Sequence, residues 1–463
     1  MLRGRFVVAV LGTVALVVGC SGSSGGPNGT AYQSYLNGAP ASTVNPPAPP
    51  APPGPPAPPA PPGPPAPPGP PAPPAPPAPP PPPAPAPSPT PPPPPAPTTG
   101  NPQNPGSTAA STPANWMFVG NHGSSTLTVF ALDANGIPSL PTNPSLPLTA
   151  PAGTTTFSPS GMAMDPTGSV LFVPSESSGG ASGNGTLLPI VITVSGNKLT
   201  LTPGTAVPTT SSNPVNVFVN PASGSNTLFT CDSSTVSCFT YTTAGVLGTP
   251  TSVANGGSYG AANWLTCDAS SNVYVGLQAD QMIDLFTVSG TTLTLAQQAY
   301  DYGSSYNGGP NCIVLDPTGK YMFMAEGDGS VGYTPTAGFG SATTPNYVQT
   351  PSAATTPNVS SVAINSAGTF LVAVCSDGSN MVVAYTVDSS GVPTQAGQPF
   401  STTPGPLSAT FHPSQNIVYI ANGGKSPATI SALSVLPTGL ASLSGSPFSL
   451  PTGDTGSSSI VIK

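Results

Sequence analysis

A turn signature that recurs about every fifty residues constrains the fold of this chain more than any other feature. Its copies are spaced by 55, 48, 48, 49 and 47 residues and begin at Asp165, Asn220, Asp268, Asp316, Asn365 and His412. The clearest copy is Asp-Pro-Thr-Gly, in which Asp accepts backbone hydrogen bonds, Pro presets φ, and Gly adopts a conformation that other residues avoid. The signature therefore predicts a tight turn between two adjacent strands in every unit.

Short apolar runs lie on both sides of each turn. Ile313–Leu315 precedes one copy, Tyr321–Ala325 follows it, and alternating runs such as Met381–Val387 supply a third strand per unit. With a weaker fourth run, each unit has the four strands of a propeller blade. A β-solenoid or a sandwich is the alternative, but the unit is too long for a solenoid coil and too regular for a sandwich.

The two ends of the repeat region are expected to share one blade. Six turn copies account for six first strands, and the strand at Trp116–Val119 has no partner before it. The final run, Ser459–Ile462, stands where a seventh first strand is due. We therefore predict an all-β fold over residues 115–463, a seven-bladed β-propeller whose C-terminal strand closes the first blade and leaves no long exposed edge.

The first twenty residues are typical of an export signal. A charged start is followed by the apolar run Phe6–Val18, which is too short to span a membrane. Val-Val-Gly-Cys, ending at Cys20, resembles the bacterial lipobox, which implies removal of residues 1–19 and lipid attachment at Cys20. An ordinary secretory signal with an incidental cysteine is the alternative.

Two low-complexity segments separate this signal from the repeats. Residues 20–44 form a Ser/Gly-rich spacer, and residues 45–114 form a proline-rich linker in which 38 of the 62 residues from Asn45 to Gly106 are Pro. Because Pro lacks an amide donor and fixes φ, the linker should be extended polyproline II, up to about 190 Å long. We predict a disordered stalk, with a role as a ligand for polyproline-binding modules as the secondary interpretation.

The charge balance excludes nucleic acid as a partner. The chain has 6 Lys or Arg against 14 Asp or Glu, and its only arginines, Arg3 and Arg5, lie in the signal segment. A surface that follows phosphates needs clustered cations. The expected partners are instead the membrane, through the lipid, and an unidentified ligand or protein at the propeller. The expected location is the cell envelope, at the outer membrane or cell surface.

One segment resembles the lactonase-type seven-bladed propellers. Gly308–Phe323 reads GGPNCIVLDPTGKYMF, similar to the stretch G-x-G-P-R-H-x-x-F-H-P-D-G-K-x-x-Y of 6-phosphogluconolactonase and carboxymuconate-cyclase relatives. Gly405–Pro413 resembles a second copy. The resemblance implies the propeller architecture, and it implies lactone-opening activity for the family's enzymes.

The family's Arg-His pair is missing from both copies. Asn311-Cys312 replaces it in one copy and Leu407-Ser408 in the other. Arg forks recognise anions, and lactone opening needs a general base or a metal-bound water. Enzymatic activity is therefore left open: we expect a binding or scaffold module carried on an envelope lipoprotein, with a lactonase-type hydrolase as the alternative.

Polar residues collect where the second strands end, on the face opposite the turns. The candidate binding site comprises His122, Glu176, Asp232, Asn311, Glu326, Asp377 and Asn422. A merely solvated acidic face is the competing interpretation. His412 occupies a turn position held by Asp or Asn in other blades, so we interpret it as a turn cap. No cofactor is predicted; calcium, which needs six to eight oxygen ligands, is the one ion that scattered oxygens at this face could bind.

The cysteines of the repeat region, residues 115–463, suggest disulfides. Cys231 and Cys238 flank a turn between adjacent strands, and an oxidising envelope would permit a bond between them. Cys267 and Cys312, on neighbouring first strands, are a second candidate pair. Cys375 would then stay unpaired.

Overall fold

The computed structural model describes residues 112–148, 157–177, 185–209, 214–232, 234–257, 262–300, 309–340, 345–351, 358–376, 378–424 and 426–463. The predicted signal, the spacer and nearly all of the linker lie outside these residues. The described part forms seven β-sheets, arranged as the blades of a propeller. It includes no helix that is long and apolar enough to cross a membrane.

The first three blades are built from the first fourteen strands. Blade 1 contains β1 (Asn115–Asn121), β2 (Thr126–Leu132), β3 (Pro138–Ser139) and β4 (Ser145–Pro147). Blade 2 contains β5 (Phe157–Pro159), β6 (Ala163–Met164), β7 (Val170–Ser177), β8 (Thr186–Ser195), β9 (Lys198–Pro203) and β10 (Val207–Pro208). Blade 3 contains β11 (Asn216–Val219), β12 (Thr227–Cys231), β13 (Thr235–Thr240) and β14 (Thr251–Ala254).

The other four blades follow in chain order. Blade 4 contains β15 (Ala262–Cys267), β16 (Asn272–Leu277), β17 (Met282–Ser289) and β18 (Thr292–Tyr300), and blade 5 contains β19 (Pro310–Leu315), β20 (Tyr321–Glu326), β21 (Ser330–Pro335) and β22 (Asn346–Gln349). Blade 6 contains β23 (Val359–Ile364), β24 (Phe370–Cys375), β25 (Met381–Val387) and β26 (Pro393–Ser401). Blade 7 contains β27 (Pro406–Phe411), β28 (Ile417–Asn422), β29 (Thr429–Leu436), β30 (Gly439–Ser442) and β31 (Phe448–Ser449).

The repeated turn is held by its first residue. In blade 5, Asp316 accepts hydrogen bonds from the backbone N–H groups of Thr318 (3.0 Å) and Tyr321 (2.7 Å). Gly319 has a φ of +68°, in the left-handed region that favours glycine. The turn thereby places β19 and β20 side by side as antiparallel neighbours.

The last strand closes the ring as predicted. β32 (Ser457–Ile462) pairs antiparallel with β1, so that blade 1 has the order β3-β2-β1-β32. The register joins Met117 to Ile462 and Val119 to Ile460. The prediction of a seven-bladed, all-β propeller with a shared first blade is therefore confirmed.

The hydrophobic core lies between the blades. In β24 and β28 every residue is buried, so both faces of these strands are covered. Aromatic contacts recur at the junctions: the rings of Tyr274 and Phe339 meet edge to face at 5.5 Å between blades 4 and 5. The Tyr419 hydroxyl donates to the Gly136 carbonyl at 2.6 Å between blades 7 and 1. An aromatic side chain thus bridges the junction between the last and first blades, as at the junction of blades 4 and 5.

The predicted disulfides are not formed. Cys231 and Cys238 are buried free thiols, because Cys231 pairs with Val236 and Cys238 pairs with Phe229. This register sets the two cysteines diagonally, where Cα atoms are about 7–8 Å apart and too distant for a disulfide. Cys267 is also a free thiol, so it forms no bond with Cys312. Burial raises the pKa of the Cys238 thiol to about 12, which makes it a poor nucleophile.

Candidate functional site

The propeller has two chemically different faces. The turns between first and second strands lie on one face, which we call the turn face. The second strands end on the opposite face, which we call the rim face. The sequence predicts the binding residues on the rim face.

A bulge recurs in the first strands near the rim face. The pairing register shifts in blades 4 to 7, and the inserted residues are Asn263, Asn311, Ser360 and Leu407. Each stands five residues before the first residue of its blade's turn. A bulge bends the strand and redirects the extra side chain. This position can therefore reach beyond its own sheet.

Side chains at this position bind the next blade. Ser160 of blade 2 also stands five residues before its turn, at Asp165. Four side chains at this position donate to a backbone carbonyl across a blade junction: Ser160 to Pro214 (2.9 Å), Asn311 to Val359 (2.8 Å), Ser360 to Leu407 (3.2 Å) and Ser458 to Pro159 (3.2 Å). Ser458 is the equivalent residue of the closing strand β32, where the register with β1 also shifts. These hydrogen bonds fasten neighbouring blades together at the rim face.

Asn311 also belongs to a chain of amide groups that crosses three blades. Asn263 donates to Gln278 Oε1 at 2.7 Å, and Gln278 donates to Asn311 Oδ1 at 2.5 Å. Asn311 Nδ2 donates in turn to Asn358 Oδ1 at 2.7 Å. All four side chains are half-buried and uncharged. These four side chains form a neutral, hydrogen-bonded band on the rim face of blades 4 to 6, which we call the amide band.

The two positions where the lactonase-type family has Arg-His are structural in this chain. Asn311 directs its NH₂ group to Asn358 and to the Val359 carbonyl, which uses both of its N–H bonds. Cys312 and Ser408, at the His positions, are fully buried. Leu407 is apolar. Neither copy therefore presents a cation or a titratable acid–base group to solvent.

Three of the other predicted residues have side chains that are buried within their own blades. Asp232 is 2% exposed and accepts hydrogen bonds from the N–H groups of Ser234 and Thr235. Asn422 is 1% exposed and donates to Ser431 Oγ at 3.0 Å. Glu326 is fully buried and lies over β21, where a Cβ added at Gly332 would come within 2.9 Å of its Oε1. The structure does not gather these residues into one exposed cluster.

The last three predicted residues differ in how far the structure describes them. His122 follows β1 as a half-buried residue, and its backbone N–H donates to the Gly456 carbonyl at 3.0 Å. Glu176 lies in β7 opposite Ser158, but its side chain is outside the described part. Asp377 is likewise outside the described residues.

One buried carboxyl group has a clearly raised pKa. Burial raises the pKa of Asp284, in β17 of blade 4, although hydrogen bonds from Gln298 and from the Gly256 N–H oppose the shift. These donors lie at 2.9 Å and 2.7 Å. The two hydrogen bonds connect β17, the third strand of blade 4, to β18 and to the segment that precedes β15. Among the described residues, no three His, Cys, Asp or Glu side chains form a group that could hold a metal ion.

Comparisons with known proteins agree with this architecture. Residues 223–434 match the family model described as "Lactonase, 7-bladed beta-propeller". A solved protein from Lactobacillus plantarum superposes with a TM-score of 0.60 at 16% identity, over 75% of this chain and 99% of that chain. A candidate 6-phosphogluconolactonase from Bacteroides fragilis gives 0.60 at 16% identity, over 77% and 99%.

A third solved structure is the periplasmic gluconolactonase of Pseudomonas aeruginosa, with a TM-score of 0.58 at 16% identity over 75% of this chain and 98% of that one. No curated protein matches the sequence significantly. The resemblance to lactonase-type seven-bladed propellers is thus confirmed. At these identities the structural neighbours establish the fold, and the residues of the site have to be judged by themselves.

The amide band was missed in the sequence, apart from Asn311. A usable signal was present, since Asn263 and Asn311 both stand five residues before an Asp turn residue. Alignment of the six units on the turn would have shown Ser160 and Ser360 at the same place. The acceptors of these side chains belong to the next blade, and no spacing within one unit identifies them.

Proposed function

We propose that the protein is an exported, lipid-anchored envelope protein whose lactonase-like propeller binds or displays a partner instead of opening lactones. The observation that carries the proposal is the state of Asn311. At this position the family has an Arg, whereas here an amide has both N–H bonds engaged with blade 6. A phosphosugar lactone would therefore meet a neutral band without a guanidinium.

The surroundings of Asn311 support binding of an uncharged partner. The amide band offers hydrogen-bonding groups without formal charge, and the adjacent Cys312 is buried. We expect a neutral polar ligand or a protein surface to bind the rim face. Calcium stays a secondary proposal, because it needs six to eight oxygen ligands, which scattered oxygens of the rim face would have to supply.

The envelope location rests on the N-terminal sequence. The lipobox-like segment ending at Cys20 and the proline-rich linker favour an anchor followed by a long spacer. One structural neighbour is a periplasmic protein, which fits an exported propeller. The location at the outer membrane or cell surface is part of the same proposal.

The alternative, a lactonase-type hydrolase, is favoured by the family match over residues 223–434. It is tested by incubating the purified full-length protein with 6-phosphogluconolactone and with simple uncharged lactones, with and without calcium. We expect ring opening no faster than in buffer. Turnover that follows the protein through purification and disappears in Glu176→Gln, but persists in Asp388→Asn, would establish the hydrolase and overturn the binding proposal.

A further inference from the structure

The turn face contains a cavity that the rim-face proposal does not involve. Its volume is about 660 Å³, and its walls come from the first strands and turns of blades 2 to 6. This volume lies within the range of about 300–1,000 Å³ that is typical of small-molecule sites. Because the cavity opens opposite the amide band, a ligand there would not compete with one at the rim face.

The cavity has an apolar wall and a polar lining. Phe218 and Leu315, half-buried in two of the first strands, supply apolar surface, together with Pro166, Pro221 and Pro317 of the turns. Such a wall accommodates the hydrocarbon body of a ligand, and the Phe218 ring can attract a cation.

The charges that line the cavity are of one sign. The turn residues Asp268 and Asp316 are carboxylates, and no Lys, Arg or His occurs among the described lining residues. Asp268 accepts hydrogen bonds from the N–H groups of Ser270 (2.8 Å) and Asn272 (2.9 Å). Asp316 similarly caps its own turn through backbone N–H groups. These neutral donors fix both carboxylates in place and leave their negative charge uncompensated.

From this combination we propose that the turn-face cavity is a second binding site, which takes an organic cation: a protonated amine on an apolar, aromatic-sized body. The amine lies near Asp268 and Asp316, and the body packs against Phe218, Leu315 and the turn prolines. Organic anions are excluded because they would meet two like charges without a counter-charge. A neutral compound of the same shape gains only the apolar contacts.

Three probes of equal shape test the proposal on the full-length protein: 4-phenylbutylammonium, 4-phenylbutanol and 4-phenylbutanoate. Calorimetric titration should show the amine bound at least about tenfold more tightly than the carboxylate, with the alcohol between them. Added salt should weaken only the amine, because screening reduces charge attraction. Binding should also change the fluorescence of Trp264, observed alone in Trp116→Phe, since the chain has 2 Trp.

Variants locate the site. The double substitution Asp268→Asn/Asp316→Asn should lower amine affinity about fivefold or more, and Asn already serves as the turn residue at Asn220 and Asn365. The matched control is Asp388→Asn, which removes a carboxylate with the same capping role outside the cavity. The proposal is overturned if the carboxylate binds as well as the amine, if the control weakens binding as much as the double variant, or if no probe binds.

Discussion

Asn311, Ser360 and Leu407 stand at equivalent places in three consecutive blades, five residues before the turn. Asn311 and Ser360 each reach the next blade through a hydrogen bond. Leu407 cannot, and the buried hydroxyl of the neighbouring Ser408 is left without a partner. The side chain at this position thus decides whether a junction gains a polar tie at this point of the rim face. A cation at this position would have to give up that tie in order to face a ligand.

His412 is the residue at which a pH effect is expected. Its imidazole is 1% exposed, Nδ1 accepts the N–H of Ser414 at 3.3 Å, and Nε2 has no partner. Burial lowers the pKa of His412 below its ordinary value of about 6.5. The unfolded chain therefore binds the proton more readily than the folded one. The contribution of His412 to stability is full above about pH 6.5 and declines as the pH falls towards its folded-state pKa.

His412→Asn isolates this contribution, because Asn holds the equivalent turn in blades 3 and 6. Melting temperatures measured between pH 7.5 and pH 5.5 should fall more for the wild type than for the variant. His122→Asn, which removes the other imidazole, serves as the matched control. Parallel curves for wild type and His412→Asn would show that another group causes the acid sensitivity.

The closing strand β32 is held by more than its pairing with β1. The Thr410 hydroxyl of blade 7 donates to the Ile460 carbonyl at 2.8 Å. Just before the strand, the buried carboxylate of Asp454 accepts hydrogen bonds from Thr128 (2.6 Å) and Ser145 (2.7 Å) of blade 1. The closing strand and the loop before it therefore connect the first blade to the last through hydrogen bonds.

Deletion of residues 458–463 should destabilise the propeller strongly. It removes Ile460 and Val461, which are 1% and 5% exposed, and each such side chain contributes about 1.5–3 kcal/mol. It also bares the edge of β1. We expect a fall in melting temperature of roughly 10 °C, measured by circular dichroism.

Deletion of residues 21–106 is the control for this truncation, because it removes far more chain and no strand of the described propeller. It should leave the melting temperature nearly unchanged. A shortened C-terminus that melts like the intact protein would mean that β32 contributes little to holding the ring.

The predictability of each strand follows from its burial. The apolar runs around the Asp316 turn lie inside β19 and β20, because buried strands need continuous hydrophobic sequence. β14 has mostly exposed residues and correspondingly little pattern. The short apolar run Met162–Met164, just before the Asp165 turn, forms only the two-residue strand β6, because β5 ends at Pro159 and the chain leaves regular pairing before it resumes. Contacts between blades depend on residues some fifty positions away and are not encoded in any local pattern.

At the scale of the whole molecule, both ends of the propeller lie on the turn face. β1 leads from this face towards the rim face, and β32 returns to it antiparallel, ending beside the Gly168 turn at Lys463. The first residue of β1, Asn115, therefore lies on the turn face. The rim face, with its amide band, lies at the opposite end of β1.

The proposed lipid anchor is tested by Cys20→Ala. Hydrocarbon chains attached at Cys20 would contribute about 0.8 kcal/mol per buried CH₂ to membrane binding. We therefore expect the wild type in the membrane fraction, released only by detergent, and Cys20→Ala in the soluble envelope fraction. Ser21→Ala, one residue away, should fractionate like the wild type. Retention of Cys20→Ala in the membranes, followed by immunoblotting of washed fractions, would mean that something other than a lipid on this cysteine holds the protein there.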